Sequence, residues 1–242
     1  MDSKRFILSA SVLAVVLVAC WLILGESSKQ EVLDNAEDVP TRAADLDNLF
    51  VNERRRLDIQ GLHASLKCVD SRGMMTCGMY EGQSALYFAV LLGSEDEVAK
   101  VLQPEILNEH GLASLNVAAA LGDLRIVKLL MSQETMRELY ERLHFDRHPA
   151  IQAARFGNPE ILKLFVNQGL DTNQKFSDGY QDLFVEAVIQ QQVEVARYLL
   201  ESGYELNCQL VFPNGRSIDN VISGLGNKEI QNLYASHCSD GA

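Results

Sequence analysis

Proline, positive charge and the signatures of catalysis are all scarce in this chain. Five prolines and sixteen glycines among 242 residues are too few for a low-complexity chain, and a 47% apolar share is that of one or two domains with a core to bury. Lysine and arginine number 21 against 33 acidic residues, a formal net charge of -12. A body this acidic repels phosphate backbones, so no nucleic acid is expected as a partner; the charge favours solubility and steers basic proteins. No Gly-x-Ser-x-Gly elbow, phosphate loop or His-Glu-x-x-His helix is present. Catalytic residues, cofactors and metals are therefore expected to be none. His144 and His148 are too few to make a metal site, and His63 with Cys68 and Cys77 matches no usual zinc spacing. Arg54-Arg55-Arg56 reads as a solvated helix face rather than an anion site. Glu134 and Glu138 share a helical face with Arg137, Glu141 and Arg142 at ion-pair spacing, which explains them better than acid–base chemistry.

Charge is absent altogether from residues 6–25, FILSASVLAVVLVACWLILG. Twenty residues at ~1.5 Å each span roughly 30 Å, the hydrocarbon thickness of a bilayer. Lys4 and Arg5 precede the run and acids come after it, which puts the N-terminus in the cytoplasm and the rest outside. In a bacterial envelope this is a single pass through the inner (cytoplasmic) membrane with the body in the periplasm. Two alternatives stay open. Leu17-Val18-Ala19-Cys20 resembles a lipobox, with Cys20 as the lipidated residue, although Trp21-Leu22-Ile23-Leu24 continues the apolar run. A cleaved signal peptide is the other, although its apolar core is normally shorter, ~7–15 residues.

Residues 1–25 are thus a signal-anchor and 26–44, polar and acidic with Pro40, a flexible linker. Residues 45–81 form a capping helix and a cysteine hairpin. Apolar spacing through Leu46, Leu49, Phe50, Leu57, Ile59 and Leu62 is helical from about Ala43 to Leu66, with Asp45 as a cap. This helix is expected to cover the open end of the C-terminal domain. Four cysteines, Cys68, Cys77, Cys208 and Cys238, fall in the exported part, where an oxidising compartment allows pairing. Ser71-Arg72-Gly73 is a turn signal that would bring Cys68 to Cys77, which leaves Cys208 for Cys238. Four free or buried thiols are the other reading.

From Gly82 onward the chain repeats itself. Gly82-Gln-Ser-Ala-Leu-Tyr-Phe-Ala89-Val90-Leu-Leu-Gly93, Gly111-Leu-Ala-Ser-Leu-Asn-Val-Ala118-Ala119-Ala-Leu-Gly122 and Asp146-Arg-His-Pro-Ala-Ile-Gln-Ala153-Ala154-Arg-Phe-Gly157 align. Two further units start at Tyr180 and Gly215, and the start-to-start spacings are 29, 35, 34 and 35 residues. Residues 82–242 resemble the ankyrin repeat, which implies an all-α solenoid of about five repeats. Each unit reads as a short helix, a glycine turn and a longer helix, with paired alanines allowing close approach. The fourth unit carries Gln190-Gln191-Gln192 in place of the turn glycine, which predicts a one-residue shift. Residues 133–143 look like an extension of the second unit's outer helix. Polar Asp219-Asn220 suits a terminal cap.

The resemblance implies a partner in the concave groove, faced by the two residues before each turn. Here these are Leu91-Leu92, Ala120-Leu121, Arg155-Phe156, Ile189-Gln190 and Gly224-Leu225. Leu91, Leu92, Leu121, Arg155, Phe156, Ile189 and Leu225 are the candidate partner-binding residues. Leu92, Leu121 and Phe156 are expected to form a water-facing apolar strip. The function expected is a membrane-tethered protein–protein interaction module, an envelope adaptor or protective scaffold. An immunity protein against a periplasm-acting toxin and a purely structural spacer are the alternatives. No enzyme is expected.

Overall fold

The computed structural model describes residues 49–175 and 182–238. The apolar segment 6–25 with Cys20, the linker 26–44, Asp45 and the start of the fourth unit at Tyr180 lie outside these residues. Among the described residues no helix is long and apolar enough to cross a membrane. They form an all-helical stack of repeated helix pairs without strands, tied at the hairpin tips by the isolated bridges Val69–Met75, Met74–Ser84 and Val211–Ser217.

The chain opens with α1 (Leu49–Arg55) and α2 (Ile59–Ser65). Unit 1 is α3 (Ala85–Leu92) and α4 (Glu95–Lys100). Unit 2 begins with α5 (Pro104–Ile106), continues through a π-helical turn (Leu107–Gly111) into α6 (Leu112–Leu121), then α7 (Leu124–Met131). An extra helix α8 (Glu134–Glu141) and a 3-10 turn (Phe145–Arg147) lead to unit 3, α9 (Pro149–Arg155) and α10 (Pro159–Asn167). Unit 4 is α11 (Leu183–Ile189) and α12 (Val193–Glu201), and unit 5 is α13 (Ile218–Gly224) and α14 (Lys228–Cys238).

Local sequence explains the first helix of each unit. Ser84, Asp182 and Ser217 cap α3, α11 and α13 by accepting from backbone N–H groups three residues on, which satisfies donors the helix leaves unpaired. Ala118, Ala119, Ala153 and Ala154 are fully buried. Their small side chains let α6 and α9 pack closely, and Leu130, Phe165 and Leu199 of the outer helices fill the space behind them. Asp219 and Asn220 are exposed, as a terminal cap requires.

Two expectations about the units need correction. Gln191 stands where units 1, 2, 3 and 5 have a turn glycine, and it adopts the same left-handed backbone, φ 58. Pro159 and Val193, the first residues of α10 and α12, are 34 residues apart, so the register is kept and no one-residue shift occurs. The second correction concerns the 29-residue spacing between units 1 and 2. It leaves no room for a hairpin tip, so Gly111 sits inside a continuous helical stretch instead of opening a loop. A Cβ there would run into the sulfur of buried Met136 on α8. Residues 133–143 correspondingly hold a separate helix, α8, rather than an extension of α7.

The start of the stack differs most from expectation. The single helix expected over 43–66 is two helices, broken at Arg56–Asp58, with Asp58 capping α2. Ile59 and Glu95, which open α2 and α4, are 36 residues apart, one repeat length. α2 also sits as an outer helix should: His63 Nδ1 lies 3.5 Å from Glu97 Oε1 on α4. By the same offset α1 should be the inner helix of an N-terminal unit. Leu57, however, falls at the place of Gly93, and Glu53-Arg54 fall at the places of Ala89-Val90. A left-handed turn is costly for leucine, and a carboxylate and a guanidinium cannot replace the small stacking pair. The chain therefore does not fold α1 back beside α2, and α1 lies across the inner helices of units 1 to 3.

Candidate functional site

The candidate site is the groove formed by the turn-side ends of the inner helices. Leu91, Arg155 and Ile189 are buried, at 0%, 5% and 8% exposure. Leu92, Leu121, Phe156 and Leu225 are half-buried and pack against the core. The expected water-facing strip of Leu92, Leu121 and Phe156 is thus partly covered, and the first residue of most pairs points inward.

α1 provides part of that cover. Phe50, itself buried, sets its ring edge-on to Phe156 of unit 3 with centroids 5.5 Å apart. Glu53 Oε2 accepts from the Tyr87 hydroxyl of unit 1 at 3.4 Å. Burial raises the Glu53 carboxyl above its ordinary value, and the Tyr87 hydrogen bond partly opposes this. Arg54 is held at two points: Nε donates to the Leu91 carbonyl at 2.7 Å, and Nη2 pairs with the Asp123 carboxylate of unit 2. Arg55 and Arg56 are exposed. Of the basic run expected to be a solvated face, Arg54 is therefore engaged and the other two are not.

The Arg54 contact completes a ladder that runs along the groove. The last carbonyls of each inner helix lack partners within their own helix. In unit 2 they are met by Asn158 of unit 3, whose Nδ2 donates to the carbonyls of Ala119 and Ala120 at 2.8 and 2.9 Å. In unit 3, Gln192 of unit 4 donates to the Arg155 carbonyl at 3.0 Å. Asp123 holds the corresponding place in unit 2 and faces Leu91. A carboxylate has no proton to donate, so the ladder would end on two opposed acceptors. The Arg54 guanidinium supplies protons to both.

Further along, Arg155 Nε donates to Glu186 Oε1 of the next unit at 2.6 Å, with both side chains 7% exposed. Arg155, expected to meet a partner, is thus bound within the stack. His148 caps α9 through Nδ1, which accepts from Ala150 N–H at 3.1 Å. Its ring lies against Tyr140 and Phe165, and burial pushes its pKa down to about 4. It is a neutral core histidine and cap. Among the described residues no group of three or more His, Cys, Asp or Glu side chains is arranged to hold a metal ion.

The cysteines pair as expected. Cys68 and Cys77 close the hairpin between α2 and α3, with Cα atoms 5.9 Å apart. Cys208 and Cys238 join the last hairpin tip to the end of α14, with Cα atoms 5.7 Å apart.

These features define a helical-repeat scaffold, and comparison with known families agrees. Residues 115–209, from α6 past α12, match the family model described as ankyrin repeats in three copies. Such repeats are generally interaction modules, and no enzymatic family is indicated. A 100-residue stretch is 27% identical to the ankyrin repeat and SAM domain-containing protein 6 of Mus musculus, covering 39% of this chain. That match spans 11% of the mouse protein, so the likeness is one of repeats and not of the whole molecule.

Proposed function

We propose that this chain is a protein–protein interaction module tethered to a membrane by residues 6–25, with its repeats outside the cytoplasm, as an envelope adaptor or protective scaffold. The observation that carries the binding role is the groove itself, which accommodates a helix, α1, through side-chain and main-chain groups of three units. Repeat scaffolds are reused for unrelated ligands, so the fold supports binding without naming the ligand. Tethering is supported by the uncharged run after Lys4 and Arg5. Export is supported by the two cysteine pairs, since disulfides persist in oxidising compartments.

Site-specific photo-crosslinking from Leu121 and Leu225 in intact cells tests the binding role. A single protein adduct in stoichiometric yield from either position is expected. No adduct from groove positions, with none from the hairpin tips, would leave a structural spacer as the reading. A reporter fused after Ala242 that works only in the cytoplasm would overturn the topology. Cys20→Ala separates the anchors: membrane attachment is retained if the helix holds the chain and lost if Cys20 is lipidated.

A further inference from the structure

We propose that α1 is a stand-in for a partner: the groove over units 1 to 3 receives a helix carrying an aromatic residue and an arginine one turn apart, and α1 fills it in cis until such a helix displaces it. This rests on reading the chain as an interaction module and adds the chemistry of what it binds.

Phe50 and Arg54 are four residues apart, so they share one face of α1. Each meets a separate subsite. Phe50 meets the half-buried ring of Phe156. Arg54 enters a socket made by the Leu91 carbonyl and the Asp123 carboxylate. The socket belongs to the stack, not to α1. With α1 gone, two acceptors stand together where the neighbouring turns have an amide donor in Asn158 or Gln192. Two adjacent acceptors with no proton of their own favour an incoming donor at this place. Arginine suits it because a planar guanidinium reaches two acceptors at once, whereas lysine brings a point charge. The acidic body, at -12, attracts a basic helix of this kind.

α1 is built to leave. It is seven residues long, about two turns, too short to hold its helix without the groove. It lacks the small stacking pair and the glycine turn that fix α3, and its link to α2 is the short stretch Arg56–Asp58. Val51, Arg55 and Arg56 are exposed on its outer side.

The test uses a labelled, end-capped peptide of residues 49–57, which carries one acid and three arginines, and the full chain in detergent, unmodified and with Phe50→Ala and Arg54→Gln. The doubly substituted chain should bind the peptide at least ten-fold more tightly than the unmodified chain, because its own α1 no longer competes. Peptides carrying Phe50→Ala or Arg54→Lys should lose most of that binding. Equal binding to both chains, or none to the substituted chain while it keeps its helicity, would overturn the proposal. So would an oligomer of the unmodified chain that disappears on substitution, since the groove would then belong to α1 of a second copy. If the substituted chain does not fold, hydrogen exchange on the unmodified chain decides. Amides of α1 should exchange at least ten-fold faster than those of α6, and equal rates would make α1 a fixed part of the stack. Crosslinking from Leu121 and Leu225 does not depend on this peptide, so either result can fail alone.

Discussion

The pairs α1–α2 and α9–α10 occupy equivalent places in the repeat, yet only α9 stacks. Behind α9 the chain turns at Gly157, φ 74, and presents Ala153-Ala154 to its neighbours. Behind α1 it has Leu57, and the small pair is replaced by Glu53-Arg54. The outer helix keeps its place in both cases, as the His63–Glu97 contact of α2 illustrates. A repeat's outer helix thus holds its register through surface contacts, whereas its inner helix needs a left-handed turn and small side chains. Where both are missing, the inner helix becomes a ligand of the groove.

The largest effect expected within the stacked region is at the unit 3–unit 4 boundary. Arg155→Ala leaves Glu186 buried without its cation and should cost about 3–5 kcal/mol in chemical unfolding. Replacing both residues with apolar side chains of similar size should recover most of that loss. A single substitution costing under about 1 kcal/mol would show that this boundary is held by packing alone. Next comes the cap of α9. Its buried histidine has a folded pKa of about 4 against an ordinary value of 6.5. The unfolded chain therefore takes up a proton that the folded chain refuses. Stability from neutral His148 is full above pH 6.5 and falls as pH drops from 6.5 through about 4, by up to about 3 kcal/mol. His148→Asn keeps a capping acceptor and should flatten that part of the pH–stability curve.

The turns give a smaller and opposite effect. Gln191 is the one non-glycine residue with positive φ among those described, so Gln191→Gly should stabilise the chain by about 1 kcal/mol. Gly157→Ala should destabilise it, because the added methyl group meets the Gln192 side chain. If both changes were neutral, turn geometry would not be what separates α9 from α1. The smallest effect belongs to α1. Arg54 and Asp123 are about a third exposed, so Arg54→Met should cost no more than roughly 1 kcal/mol globally. Faster amide exchange should be confined to residues 49–55.

Much of the stack was legible in the sequence. All five units were placed from the sequence, four of them marked by a turn glycine and two by an alanine pair, and Ser71-Arg72-Gly73 foretold the Cys68–Cys77 hairpin. The fourth unit's register was harder, because glutamine at the turn suggests a slip, and only the backbone reveals that Gln191 tolerates φ 58. The groove was legible as a set of positions but not as a surface. Leu91 and Phe156 were placed by the repeat, yet Leu91 points inward and Phe156 is partly covered by Phe50 of α1, whose apolar spacing reads as a plain capping helix. One signal was present: extending the period one unit back puts Leu57 on a glycine and Glu53-Arg54 on Ala89-Val90. A second was Asp123, which cannot donate as Asn158 does. Neither indicates where the displaced helix goes, since that depends on Phe50 and Phe156 meeting across 106 residues of sequence.

The central claim is that α1 lies in the groove and reaches unit 3. Nuclear Overhauser contacts in the full chain with selectively labelled phenylalanine test it without any substitution. The account predicts contacts between the ring protons of Phe50 and Phe156, whose centroids are 5.5 Å apart. Phe50 contacts confined to α3, with none to Phe156, would place α1 in the stack as an ordinary inner helix and contradict it.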